Sequence, residues 1–305
     1  MTRTVLTSLL AICAGTASFT VSADNVICNS GLNIELPAEC DSITLNQEFD
    51  GVKNFRQLTP LKESWKLRQG VLYRSDQMHE LSPADLDKMT ALGIKTVVDL
   101  RSVEEVEHFP NKHIPSVTQT VNLPIGQDPA DIKNLIDPKL SQKVRKMWFE
   151  GEFEQIEQLM EESGIDLATA RTPRYVEFAT KFNHQISRFL HLLANEDNYP
   201  LVFHCAGGKD RTGYIAAVTL LTLGYSEQDV INDYLITNMT GFNELKGLLD
   251  KGLVALMPAG EARKEQINAA LQAIKQHYGS FDNYRKNILK ISDKEVEQIR
   301  ANLLI

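Results

Sequence analysis

Residues 204 to 213 read His204-Cys205-Ala206-Gly207-Gly208-Lys209-Asp210-Arg211-Thr212-Gly213. A cysteine and an arginine stand six positions apart, with glycines between them and an apolar run on either side. Glycines permit unusual backbone angles and a close approach of the main chain to a ligand. A loop of this kind can turn successive N–H groups inward and form an anion cradle. A helix that begins there aims its positive end at the same point. At the head of the cradle, Cys205 is expected to be thiolate rather than thiol, and so nucleophilic at neutral pH. At its far end, Arg211 offers a planar fork that fits two oxygens of a phosphoryl group. The implied chemistry is attack of sulfur on phosphorus, departure of the ester oxygen, and hydrolysis of a cysteinyl-phosphate. The five-coordinate transition state would be stabilised electrostatically. This chemistry calls for no cofactor and no metal, and the sequence has no His/Asp/Glu cluster with metal-ligand spacing.

The neighbours have parts of their own. Ala206, Gly207, Gly208 and Gly213 serve through their backbone. His204 is expected to brace the loop and help keep Cys205 ionised, or else to be a core histidine at a strand end. Thr212 can hydrogen-bond the thiolate or assist sulfur as a leaving group. Lys209 adds a second cation at the mouth, suited to a substrate with more than one phosphate; a solvated surface lysine is the plainer alternative. A phenol, with a pKa of about 10, leaves easily, whereas an alkyl alcohol needs a proton donor more. Two aspartates are candidates for that donor. Asp210 is favoured because the motif fixes its position. Asp128, in Leu123-Pro124-Ile125-Gly126-Gln127-Asp128-Pro129, occupies the place of a mobile-loop acid, or is a turn residue before proline. Asp99 and Arg101 fall at the carboxyl end of a strand, the edge where ligands of open α/β sheets gather. They could touch substrate, support the loop or form a structural ion pair.

Around these residues the pattern predicts strands at 70–75, 94–100, 117–123 and 199–204, rich in β-branched or apolar residues. Ser82-Pro83-Ala84-Asp85 marks a helix start with a capping box, and Ser226/Asp229 and Ser292/Glu295 give two more. Tyr175, Phe178, Ala179, Phe182, Ile186, Phe189, Leu190 and Leu193 share a face and predict one core helix. The run from Tyr214 to Leu223 is apolar all round, which predicts a buried helix ended by Gly224. Residues 130–172 are polar and helix-prone, anchored by Trp148, Phe149, Phe153, Ile156 and Met160, and read as helices inserted before the core helix. The alternation points to a single α/β domain over 24–305, with a mainly parallel sheet flanked by helices.

The chain has 305 residues, 43% of them apolar and 24% charged, a composition of soluble globular proteins. Its net charge of −8 disfavours general binding to nucleic acid or to anionic membranes, and no segment beyond the N-terminus suggests a stable membrane anchor. Arg3, an apolar run and Val21-Ser22-Ala23 have the pattern of a secretory signal peptide over 1–23, which predicts a secreted or periplasmic protein. Export permits a Cys28–Cys40 disulfide, with two unpaired cysteines as the alternative; Cys205 is left as a free thiol.

The string HCAGGKDRTG resembles the phosphate-binding loop of the cysteine-dependent protein tyrosine phosphatase superfamily. Its Lys209-Asp210-Arg211 variant is similar to a secreted bacterial group that acts on phosphotyrosine and, in some members, on phosphoserine, phosphothreonine and phosphoinositides. NFR (54–56), LYRSDQ (72–77), LGIKTVVDLRS (92–102) and YGSFDNYRKNILKISDKEVEQIR (278–300) resemble the same group. The resemblance implies Cys205 as nucleophile, Arg211 as phosphate ligand, Asp210 as the position used for the acid, and residues 130–172 as a helical lid. Asn54-Phe55-Arg56 is followed by none of the usual acidic residue and glycines, which leaves the role of that turn open. Expected partners are a phosphorylated protein or a phosphoinositide. An inactive phosphate-binding module fits the retained Cys205 and Arg211 poorly, and a sulfur transferase fits the Arg211-Thr212-Gly213 exit poorly.

Overall fold

The computed structural model describes residues 27–28, 30, 33–38, 40–43, 49–58, 67–126 and 138–305. The expected signal peptide and Asp128 lie outside the described residues.

Five strands form one sheet: β1 (Arg56–Gln57), β2 (Leu72–Ser75), β3 (Thr96–Asp99), β4 (Gln119–Asn122) and β5 (Leu201–His204), in the order β1-β2-β5-β3-β4. Only β1 runs antiparallel, on an edge. β2, β3 and β5 are buried along their length, as expected for parallel strands covered on both faces. β4 is the other edge and carries polar, exposed residues. Ser75 pairs with His204, His204 with Asp99, and Asp99 with Asn122. The carboxyl ends of four strands therefore finish level, and the loops that leave them meet.

Helix α1 (Pro83–Ala91) starts at the expected Ser82/Asp85 capping box. Helix α2 (Val103–His108) starts at a second one, Ser102/Glu105. Between β4 and β5 lie α3 (Pro138–Glu150), α4 (Phe153–Ser163), α5 (Leu167–Lys181) and α6 (Asn183–Ala194). The core helix expected to run unbroken from Tyr175 to Leu193 is thus two helices, divided at Phe182. The Asn183 side chain donates to the Thr180 carbonyl at 3.3 Å across the break. In α3 and α4, Met147, Ile156 and Met160 make a small apolar cluster with Leu253 and Leu256. Glu157 accepts from the Ala255 and Leu256 N–H groups at 2.6 and 3.0 Å and ties α4 to that loop.

α7 (Asp210–Leu223) leaves the loop after β5 and is buried on nearly all sides, ending at Gly224 with φ of 95°. α8 (Glu227–Thr240), α9 (Phe242–Asp250), α10 (Lys264–Tyr278) and α11 (Asp293–Leu303) complete the fold. α8 and α11 begin at the other two expected capping boxes. The main core packs α5, α6, α7 and α10 against one face of the sheet, with Phe178, Phe189, Phe203, Tyr214, Leu220 and Ile274 buried together. Cys28 and Cys40 are joined in a disulfide with a Cα–Cα distance of 5.9 Å. The bridge packs beside Ile236 and Met239 of α8, and Asn238 donates to the Glu35 carbonyl at 2.6 Å. The N-terminal segment is thereby fastened to α8. Among the described residues no helix is long and apolar enough to cross a membrane.

Candidate active site

The loop 205–209 joins buried β5 to buried α7, with Gly208 at φ of 63°. A Cβ on Gly208 would lie 2.7 Å from the Ser75 carbonyl oxygen and the Asp76 nitrogen, so only glycine fits there. Three donors hold the loop carbonyls from outside. The Gln77 N–H reaches the Ala206 oxygen at 3.0 Å. Arg74 Nη2 reaches the Gly208 oxygen at 2.7 Å, and Asn54 Nδ2 reaches it at 2.9 Å. Carbonyls turned outward leave their peptide N–H groups free to face the concave side, which is the geometry of an anion nest. Gly213 lets α8 press against α7: a Cβ there would sit 2.7 Å from the Tyr234 ring.

The donors are themselves braced. Arg74 and Arg56 both bond the Asp233 carboxylate, each at 2.7 Å. Burial and the neighbouring Arg74 lower the Arg56 pKa to about 10. Asn54 accepts from Thr240 at 2.8 Å, and its N–H and that of Lys53 bond Asp76 Oδ1 at 3.2 and 3.0 Å. Burial raises the Asp76 pKa to about 6 against those bonds. The Asn54-Phe55-Arg56 turn therefore supports the loop, although it lacks the residues that usually follow.

Cys205 is 2% exposed and is the free cysteine among the described residues. Arg211 lies in the electrostatic field of its sulfur. Glu105 clamps the guanidinium with two bonds, of 2.6 and 2.8 Å, in a bidentate pair. Burial pushes the Glu105 carboxyl up, but Arg211 and Ser102 outweigh it and hold the group below the usual range. Burial also opposes the charge on Arg211, yet Glu105 and Cys205 raise its pKa. Thr212 Oγ1 is buried with no hydrogen-bond partner among the described residues.

Several expected roles change. His204 is fully buried, and desolvation lowers its pKa to about 4 despite Asp99. It is neutral at pH 7, with Nδ1 toward the Cys205 carbonyl at 3.2 Å and Nε2 taking the Asn111 amide at 2.9 Å. It braces the loop but supplies no charge to Cys205 and has no surface for substrate. Asp99 and Arg101 form the structural ion pair, at 2.7 Å. Arg101 is fully buried and also bonds the Phe109 carbonyl and Asn111, and Asp99 is 3% exposed. Lys209 is 3% exposed and donates to the Glu261 carbonyl at 2.9 Å. It is an anchor below the loop, not a cation at the mouth, and burial lowers its pKa to about 8 despite Asp210.

Asp210 departs most from expectation. Arg171 Nη2 lies 2.9 Å from one carboxylate oxygen. The Tyr175 hydroxyl donates to the other at 2.5 Å, and Lys209 Nζ stands 3.4 Å from it. Burial raises the carboxyl, but Lys209, Arg171 and Tyr175 hold it far below the usual range. In this arrangement Asp210 is an anion with no proton to donate.

Sequence reasoning missed Glu105, Arg74, Asn111, Asp233, Arg171 and Tyr175. Glu105 alone had a local signal, the Ser102-x-x-Glu105 capping box that follows Asp99-Leu100-Arg101. The others act from distant elements.

A cysteine and a clamped arginine at the two ends of an inward-facing loop, between a parallel strand and a buried helix, define a cysteine-dependent phosphatase. A family model described as "Tyrosine phosphatase family" matches residues 47–305, and the chain belongs to that family. It is a phosphoric monoester hydrolase of the tyrosine phosphatase type. A putative tyrosine-protein phosphatase of Cupriavidus necator is 28% identical over 269 residues, 84% of this chain and 87% of that protein. The triple specificity protein phosphatase PtpB of Mycobacterium tuberculosis is 28% identical over 287 residues, 85% of this chain and 99% of that protein. Among solved structures, the core catalytic domain of the PP-IP phosphatase SIW14 from S. cerevisiae aligns at a TM-score of 0.33 and 13% identity, over 67% of this chain and 95% of that one.

Proposed function

We propose that this chain is an exported phosphatase that acts on phosphotyrosine through a cysteinyl-phosphate, with Cys205 as nucleophile and Arg211 as phosphate ligand. The observation that carries the reading is the Glu105 clamp, which holds the Arg211 fork at the start of α7, at the opposite end of the loop from Cys205. The substrate phosphate lies against the loop N–H groups and Arg211. The Cys205 sulfur forms a bond to phosphorus as the bond from phosphorus to the tyrosine oxygen breaks. Water then attacks phosphorus, the sulfur–phosphorus bond breaks, and orthophosphate leaves. Negative charge grows on the equatorial oxygens, where the amides and Arg211 meet it. Thr212 donates to the sulfur as it leaves.

Asp210 is assigned to holding Arg171 and Lys209, because its carboxylate is occupied by both and by Tyr175. Asp128 is assigned the role of proton donor to the leaving oxygen. A phenol tolerates a weak donor better than an alkyl alcohol does, which supports phosphotyrosine over phosphoserine. The N-terminal charge and apolar pattern of 1–23 supports export.

Rapid quenching of the enzyme with a phosphotyrosine peptide, followed by mass spectrometry, tests the mechanism. A mass gain of about 80 daltons on Cys205 is expected. A Cys205→Ser protein should lose turnover and keep binding the peptide. Full turnover by Cys205→Ser would overturn the assignment.

A further inference from the structure

Asn111 follows α2 and stands six residues after Glu105. The reaction proposed above leaves it unused. Its half-buried side chain has two donor and two acceptor positions, and all four are filled. Oδ1 accepts from the Met78 N–H at 3.2 Å and from Arg101 Nη2 at 2.9 Å. Nδ2 donates to Asp99 Oδ2 at 3.2 Å and meets His204 Nε2 at 2.9 Å. The carboxyl ends of β2, β3 and β5 thus converge on one amide.

The partners decide which way that amide points. A main-chain N–H and a guanidinium only donate, so the end they meet is the oxygen. A carboxylate only accepts, so the other end is the NH2. His204 Nε2 therefore faces a donor and accepts. In a neutral imidazole the proton is then on Nδ1, which lies 3.2 Å from the Cys205 carbonyl oxygen. Asp99 Oδ2 also lies 3.4 Å from Nε2, but Arg101 Nη2 at 2.7 Å and Asn111 already occupy it. A proton on Nε2 would meet the Asn111 NH2 donor against donor. The charged groups that act on the ring are Asp99, Arg101 and Arg211, and burial with the two guanidiniums outweighs the carboxylate.

We propose that Asn111 is a positioning residue for the reaction: by fixing the tautomer of His204 it directs the Nδ1 proton to the Cys205 carbonyl and so sets the first peptide of the phosphate loop. Across a trans peptide the carbonyl and the N–H point in opposite directions. A Cys205 carbonyl held by the His204 ring therefore turns the Ala206 N–H toward the concave side. Gln77, Arg74 and Asn54 hold the later carbonyls of the loop, and Asn111 completes that set through His204. Without the Asn111 NH2, Nε2 can take the proton and give it to Asp99 Oδ2. Nδ1 would then face the Cys205 oxygen, acceptor against acceptor. The proposal rests on the reading of Cys205 as nucleophile and names the residue that sets its peptide.

Long-range proton–nitrogen NMR of the histidine-labelled protein at pH 7 reads the tautomer directly, with His204 assigned by its absence from His204→Gln. Wild type should show a protonated Nδ1 and a bare Nε2; a proton on Nε2 would overturn the proposal. In Asn111→Asp a carboxylate replaces the NH2, and Nε2 should gain a proton; an Nε2 left bare there would count equally against it. Asn111→Leu should lower kcat/KM on p-nitrophenyl phosphate roughly threefold to tenfold, the effect of one hydrogen bond. In a His204→Ala background the same substitution should change kcat/KM less than twofold, because the path to Cys205 is already cut. Equal losses in both backgrounds would assign Asn111 to the fold alone and overturn the proposal, as would an unchanged kcat/KM in Asn111→Leu. Turnover retained by Cys205→Ser would instead sink the nucleophile reading and leave the tautomer result standing.

Discussion

Glu105→Gln isolates what the clamp on Arg211 does. In the native site one Glu105 oxygen accepts from Arg211 at 2.8 Å, and the other accepts from Arg211 at 2.6 Å and from the Ser102 N–H at 2.9 Å. Glutamine keeps one oxygen, and a Ser-x-x-Gln capping box remains viable, so the start of α2 is preserved. Its amide nitrogen would face an Arg211 N–H, donor against donor, and one of the two arms must let go. A hydrogen bond between charged groups contributes about 1.5–3 kcal/mol, which converts to a fall of roughly 10- to 150-fold in kcat/KM on a phosphotyrosine peptide. Both side chains are under a tenth exposed, at 9% and 8%. Breaking a buried pair costs about 3 kcal/mol or more, so Tm should drop by roughly 5 °C or more. Kinetics at 15 °C keep the variant folded during the assay. Glu105→Asp, which keeps the charge on a shorter arm, should fall between the two. A kcat/KM within twofold of wild type, with the expected drop in Tm, would show that the clamp stabilises the fold without orienting Arg211 for catalysis.

Three other outcomes follow from the same geometry. Gly208→Ala forces a Cβ onto the backbone of Ser75 and Asp76 at a positive φ and should cost on the order of 100-fold in kcat/KM through misplacement of the cradle. Gly207→Ala meets open space and should cost far less; equal losses would refute the steric argument. Burial raises the Asp76 pKa from 3.8 to about 6. Its contribution to stability is therefore present below pH 4 and lost as pH rises through 6. Asp76→Asn should gain on wild type by up to roughly 3 kcal/mol between pH 4 and pH 8 in denaturant unfolding, and a pH-independent difference would contradict the burial account. Asp128→Asn should slow phosphoserine hydrolysis more than p-nitrophenyl phosphate hydrolysis, whereas Asp210→Asn should slow both alike. The reverse pattern in steady-state rates would return the proton-donor role to Asp210.

The strand–loop–helix unit around Cys205 was legible because every level agreed. An apolar strand, glycines where the backbone must turn, and an all-round apolar helix leave few alternatives. The three expected capping boxes were legible for the same local reason. The charge states were not. Whether Lys209 faces solvent or the Glu261 carbonyl depends on a segment 52 residues away, and the state of Asp210 depends on Arg171, 39 residues before it. No local pattern encodes either contact. The break at Phe182 was hidden because apolar spacing continues across it, while the contacts of Asn183 there reach Tyr278 and Tyr284, about 100 residues away.

Asp233 joins Arg56 and Arg74, and Arg74 with Asn54 holds the Gly208 carbonyl. The floor of the loop is thus cross-tied from three remote parts of the chain. A receptacle finished in advance diverts none of its guest's affinity into its own assembly. Orthophosphate released by the reaction presents the same oxygens as the ester, so inorganic phosphate is expected to inhibit turnover competitively, more strongly as it accumulates.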